Sequence, residues 1–166
     1  MGRRPLSPVP PAPGATLVLH GPVGGGKTPR ASDLARAAAL SGRRVGGVLA
    51  LKTPAGRRYH DLWTGEEMAK EPAVDGEPVI EVGRFRFRAA AFAWAGQRIA
   101  TAVAAGADLV IIDEVGPLEL RGAGLAAALD ALPPGLARVL LVRTGLEDAA
   151  AARFAVGPVA FDPPRD

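Results

Sequence analysis

Gly21-Pro22-Val23-Gly24-Gly25-Gly26-Lys27-Thr28 is the stretch on which the reading of this chain turns. A glycine, four free positions and then Gly-Lys-Thr is the spacing of a phosphate-binding loop. Ala15-Thr16-Leu17-Val18-Leu19-His20, just before it, is an apolar run of strand length, and Pro29 to Leu40, just after it, is rich in Ala and Leu and predicts a helix. The spacing acquires meaning only in this context of strand, glycine-rich turn and helix. Glycines let backbone N–H groups curl around phosphate oxygens, and the following helix aims its positive end at them. All eight residues from Gly21 to Thr28 are therefore expected to cradle a nucleotide's phosphates. Lys27 is expected to reach the β- and γ-phosphates as a point charge, and the Thr28 hydroxyl to hold Mg²⁺.

The competing reading is a chance match in a chain with 21 glycines. Lysine usage argues against it. Of 20 Lys and Arg residues only Lys27, Lys52 and Lys70 are lysines. A chain that otherwise writes Arg has kept Lys where a compact ammonium is needed, and Arg is no substitute there.

The second half of such a site is expected at the end of another buried strand. Leu109 to Ile112 is continuously apolar, as in a strand covered on both faces, and it ends at Asp113-Glu114. Asp113 is expected to hold Mg²⁺ through water. Glu114 stands where it can orient or deprotonate an attacking water. Taken alone, an apolar run ending in two acids is ordinary; paired with the loop it gains weight. Transition-state charge calls for a cation beyond Lys27. Arg143, ending the apolar run Val139 to Val142, is the expected one, with Arg84 and Arg121 as further candidates against the plain alternative of solvated arginines. His20 and His60 lack metal-ligand spacing.

The rest of the chain alternates strand and helix. Arg44 to Lys52 and Arg57 to Thr64, joined by Thr53-Pro54-Ala55-Gly56, predict an antiparallel hairpin. Gly65 to Gly76 reads as acidic and irregular, and Glu77 to Phe87 as having strand character. Ala89 to Ala105 predicts a helix whose stripe of Phe92, Ala95, Ile99, Ala102 and Val103 faces the sheet. A helix from Gly122 to Leu132, a short helix over Glu147 to Phe154 and an edge strand over Pro158 to Phe161 complete the pattern. The expected fold is α/β, a mostly parallel sheet flanked by helices with an added hairpin, taking ligands at the C-terminal ends of its parallel strands.

Composition bounds the class. With 166 residues, 48% of them hydrophobic, one domain over residues 15–166 is expected, behind a flexible Pro-rich leader over residues 1–14. The absence of cysteine excludes disulfides and thiolate metal sites. No apolar run is long enough for a membrane span, and Arg3 and Arg4 are followed by no signal-peptide core, so a cytoplasmic protein is expected. A net charge of +3 does not indicate a nucleic-acid partner, and nothing identifies a protein partner.

Asp113-Glu114-Val115-Gly116-Pro117-Leu118-Glu119-Leu120, together with the loop, resembles the signature of the small nucleoside-triphosphatases described from thermophiles, a family that includes the cancer-related nucleoside-triphosphatase. Val82-Gly83-Arg84-Phe85 resembles that family's Val-Gly-basic-aromatic element. The likeness spans about Thr16 to Arg143. It implies a RecA-like phosphate-loop fold and Mg²⁺-dependent hydrolysis of nucleoside triphosphates, ATP and GTP among them, to diphosphate and phosphate with broad base tolerance. By position it implies phosphate binding by Gly21 to Thr28, metal binding by Asp113 and water activation by Glu114. The chain departs from the family at Pro117, often basic there, and at Pro29, usually a hydroxyl residue. Glu119 matches the pattern without an evident role beyond a surface or capping carboxylate.

Two other functions use the same parts: a slow nucleotide switch acting on a partner protein, and a small-molecule kinase with Arg84 to Arg88 as its lid. A guanine-specific switch is disfavoured because the chain has no Asn-Lys-x-Asp segment.

Overall fold

The computed structural model describes residues 9–71 and 74–164. Its elements follow the hydrophobic pattern. Strand β1 (Thr16–Gly21) leads through the glycine-rich loop into helix α1 (Lys27–Leu40). Strands β2 (Val45–Thr53), β3 (Gly56–Asp61) and β4 (Glu67–Ala69) come next, then a hairpin of β5 (Val79–Val82) and β6 (Phe85–Arg88) and the long helix α2 (Ala89–Ala104). Strand β7 (Leu109–Val115) is followed by two short helices, α3 (Pro117–Leu120) and α4 (Ala126–Asp130). Strand β8 (Ala137–Arg143), helix α5 (Glu147–Phe154) and strand β9 (Val159–Asp162) close the chain.

Seven strands form one sheet in the order β4-β3-β2-β7-β8-β1-β9. The five from β2 to β9 in that order run parallel, while β3 and β4 add an antiparallel extension at one edge. Period-two alternation sorts the sheet's side chains into two layers. Leu17, Leu19, Ile111, Val139 and Leu141 pack with Ala31, Leu34 and Ala38 of α1. Val18, Val110, Ile112, Leu140 and Val142 pack on the other face with Phe92, Ala95 and Ile99 of α2, Leu129 of α4 and Phe154 of α5. The sheet is thus covered on both sides, which explains why its central strands read as unbroken apolar runs. This is the mostly parallel, helix-flanked phosphate-loop architecture expected from the sequence, with β8 standing between the strand that enters the loop and the strand that ends in Asp113.

Beneath the sheet, at the N-terminal end of β8, Arg138 is buried without a carboxylate partner among the described residues and donates instead to the carbonyls of Pro133, Leu136 and Phe154. The guanidinium fork thus ties the turn from Pro133 to Leu136 to the C-terminal end of α5.

Three local expectations change. Glu77 to Phe87 is not one strand: the chain reverses at Gly83-Arg84, pairing Ile80 with Phe87 and Val82 with Phe85, so that the two short apolar rows face the core together. Gly65 to Gly76 is not wholly irregular, because β4 pairs with β3 over Arg58–Ala69, Tyr59–Met68 and His60–Glu67. The helix after Gly122 is shorter than expected, beginning only at Ala126, because Glu119 and Gly124 shape the segment before it. Of the expected leader, residues 1–8 lie outside the described residues, and residues 9–14 carry no helix or strand.

Candidate functional site

Strands β1, β7 and β8 end along one edge of the sheet, with Gly21 paired to Arg143 and Val115 paired to Val142. A cavity of about 690 Å³ opens there, lined by the glycine-rich loop, the β5–β6 turn and the segment from Asp113 to Arg121.

The loop is shaped by its glycines. Gly26 caps α1 with φ 80° and ψ 17°, a left-handed conformation that costs an L side chain roughly 1–2 kcal/mol. No side chain caps α1 and no acidic residue occupies its first turn. The first amides of a helix lack intrahelical partners, so this uncapped turn offers donors and a positive end to an anion. Lys27 bends back and donates to the carbonyls of Gly21 (2.9 Å) and Pro22 (2.8 Å), which holds its ammonium at the loop's mouth. Burial pushes Lys27 below the ordinary lysine value, against the opposing pull of the Asp113 carboxylate.

Asp113 is buried at the end of β7. Its Oδ2 accepts from the Thr28 hydroxyl at 2.8 Å and from the Ala50 N–H at 2.9 Å, and its Oδ1 accepts from the Glu114 N–H at 2.8 Å. Burial, followed by the neighbouring Glu114 charge, pushes Asp113 up to about 6 against these three donors. A cation nearby would relieve that cost. Because Thr28 donates its proton to Asp113, its oxygen lone pairs remain free to face a metal. Hydroxyl and carboxylate oxygens suit hard Mg²⁺, which keeps much of its water and completes its shell with phosphate oxygens. Among the described residues no group of three or more His, Asp or Glu could hold a metal by itself.

Glu114 breaks the strand's alternation. The β7–β8 register shifts between Ile112 and Val115, and Glu114 adopts φ 57°, the sole non-glycine residue at positive φ among those described. A bulge re-aims a side chain out of the sheet's plane. The Glu114 carboxylate consequently points into the cavity, where its Oε2 meets Nζ of Lys70 at 2.5 Å. Lys70 is buried behind it, among the rings of Tyr59, Phe87 and Phe92. Sequence reasoning passed over Lys70 as a member of an irregular acidic stretch. The signal that could have found it is the rarity of lysine, the same signal that singled out Lys27; the third lysine, Lys52, is exposed on β2.

Arg143, Arg84 and Arg121 all line the cavity. Arg143 reaches it from the end of β8 and lies near enough to Lys27 for their charges to interact. Arg84 sits at the β5–β6 turn with its guanidinium 5.2 Å from the Phe85 ring centroid, whose ring also carries Arg57 at 4.2 Å. His20 is not part of the cavity lining; its Nδ1 lies 3.2 Å from Thr144 Oγ1.

Glu119 now has an account. It is buried, its Oε1 accepts from the Gly116 N–H at 3.0 Å and its Oε2 from the Leu125 N–H at 3.1 Å. It braces the segment that carries Pro117 along the cavity wall, and burial raises it above the usual carboxylate range. Gly124 makes room for it: a Cβ there, at φ +58°, would overlap Glu119 Oε2 and the Leu118 side chain. Gly124→Ala should therefore cost about 2–4 kcal/mol, combining left-handed backbone strain with a backbone N–H stripped of its partner. Urea unfolding measures it, and an unshifted midpoint would show that the brace does not depend on this glycine.

Among the described residues, no helix is long and apolar enough to cross a membrane. A search of curated proteins found no match to the sequence. A family model described as NTPase matches residues 16–144, from the first residue of β1 to just past Arg143. That match takes in the loop, the Asp113-Glu114 strand end and every cavity-lining element between them, and the chain belongs to the NTPase family.

Proposed function

We propose that the protein hydrolyses nucleoside 5′-triphosphates to the diphosphate and phosphate, using Mg²⁺ and tolerating different bases. The observation that carries this reading is the Thr28–Asp113 hydrogen bond of 2.8 Å, which joins the two halves of the site while Glu114 faces the same cavity. The amides of Gly21 to Thr28 cradle the phosphates, and Lys27 exchanges its two carbonyl partners for β- and γ-phosphate oxygens. Thr28 and Asp113 would hold Mg²⁺, which when bound would supply charge neutralisation to the phosphates. Glu114 takes a proton from water as the water oxygen bonds to the γ-phosphorus. The bond from the γ-phosphorus to the bridging oxygen breaks, and the diphosphate leaves with the electron pair. Arg143 offsets the charge that develops. Broad base tolerance rests on the family resemblance and on the lack of an Asn-Lys-x-Asp segment.

Phosphate release from ATP, GTP, CTP and UTP, each with Mg²⁺, tests the reading. Comparable turnover of all four is expected. Phosphate release that requires an added partner protein would replace hydrolysis with a switch function, and nucleotide consumption that requires an added acceptor and frees no phosphate would replace it with a kinase; no consumption of nucleotide under any condition would refute all three.

Pro29 carries a further prediction. It is the third residue of α1, where an amide has no intrahelical partner, so the ring is tolerated. Proline nevertheless removes one N–H from the turn that faces the phosphates. Pro29→Thr should tighten binding of a slowly hydrolysed triphosphate analogue roughly tenfold, the equivalent of about 1.4 kcal/mol. Calorimetric titration of both proteins checks it; equal or weaker affinity in a folded variant would mean the α-phosphate is held elsewhere.

A further inference from the structure

Lys70 follows directly on β4, and its side chain is only 1% exposed. Its backbone is tied from two directions: its N–H donates to the Arg57 carbonyl on β3, and its carbonyl accepts from the Arg88 N–H on β6. The edge extension and the separate hairpin therefore meet at this residue. Its ammonium stands 4.4 Å from the ring centroid of Phe87, 4.5 Å from that of Tyr59 and 5.9 Å from that of Phe92. Aromatic faces attract a cation but replace only part of its hydration. A buried ammonium is costly unless paired, and among the described residues Glu114 supplies its one carboxylate, Oε2 at 2.5 Å. The aromatic walls leave Nζ little freedom to choose another position.

The consequence falls on Glu114. Its side chain is 48% exposed on the cavity side, and among the described residues no hydrogen bond reaches its other oxygen, Oε1. Its φ of 57°, at the register shift between β7 and β8, is a backbone conformation that persists only where the surrounding structure determines it. Resting on the hydrolase reading above, we propose that Lys70 is a positioning residue: its caged ammonium fixes Glu114 Oε2 so that Oε1 is presented to the attacking water. Lys70 does not itself touch the nucleotide. In this role the cage is built by the edge strand β3, the separate hairpin β5–β6 and helix α2, which supply Tyr59, Phe87 and Phe92 around a lysine that directly follows β4.

A double-mutant cycle tests the role. Lys70→Met keeps an unbranched chain that can pack against aromatic rings, so the cage stays filled. It should lower kcat roughly 10²-fold through misorientation of Glu114, while the KM for Mg²⁺–ATP and the Kd of a slowly hydrolysed analogue each move less than about threefold. In a Glu114→Gln background the same substitution should change kcat less than about twofold, because residues that act as a unit are not additive. A lysine needed only for folding would instead lower kcat alike in both backgrounds. Should the thioether not be tolerated, Lys70→Gln enters the same cycle, and thermal melts verify the fold of each variant. Additive losses, or an unchanged kcat in Lys70→Met, overturn the role of Lys70 and leave the hydrolase reading standing. A wild-type protein without turnover overturns both.

Discussion

Lys27→Ala should abolish nucleotide turnover and weaken Mg²⁺–triphosphate binding by roughly 10²–10⁴-fold. The figure follows from losing two hydrogen bonds to charged oxygens at about 1.5–3 kcal/mol each. The ammonium rests on the carbonyls of Gly21 and Pro22, so it is already held at the mouth of the loop and needs little rearrangement to meet a phosphate. The fold should survive, since Lys27 lies at the partly exposed start of α1 and contributes to neither core layer. Titration of a slowly hydrolysed analogue, alongside phosphate release, gives both quantities. Turnover at the wild-type rate would remove the loop from the mechanism altogether.

Glu114→Gln should leave binding of Mg²⁺ and nucleotide nearly intact and slow hydrolysis by roughly 10²–10⁴-fold, the usual loss on removing a general base. The amide oxygen can still accept from Lys70, and the Asp113 hydrogen bonds to Thr28 and Ala50 do not involve this side chain. Geometry and metal site are thus preserved while proton-accepting power is lost. If binding collapses together with turnover, Glu114 serves the metal rather than water. If hydrolysis barely changes, another group takes the proton, and Glu119 is no substitute, since both its oxygens are committed to the backbone of Gly116 and Leu125. Single-turnover measurement separates the two outcomes by reading the chemical step after binding is saturated.

The sequence by itself was sufficient for the family and the fold. These depend on local relations: a strand, a fixed spacing of glycines and a helix adjoin one another in the chain, and buried parallel strands declare themselves as unbroken apolar runs such as Leu109 to Ile112. Asp113 was expected beside the loop because the end of a buried strand dictates where its side chains emerge, while its direct hydrogen bond with Thr28 is a finding of the structure. Tertiary structure decided what happens beyond that point. The bulge at Glu114 follows from a register shift against β8, which no spacing within 109–115 records. The reversal at Gly83-Arg84 and the strand β4 arise from pairing with partners distant in the chain, so a reading along 65–87 sees only polar and apolar residues without a settled period. Glu119 reads as a surface or capping carboxylate; its cap on the Gly116 N–H is a local contact, while its burial appears only where Leu125 donates to its second oxygen. Lys70 is the sharpest case. Its neighbours Tyr59, Phe87, Phe92 and Glu114 come from four separate elements, and only their convergence turns an unremarked lysine in an acidic loop into a buried cation facing the carboxylate of the site. Burial of a charge is a property of the packed core, and a sequence read one segment at a time has no core to bury it in.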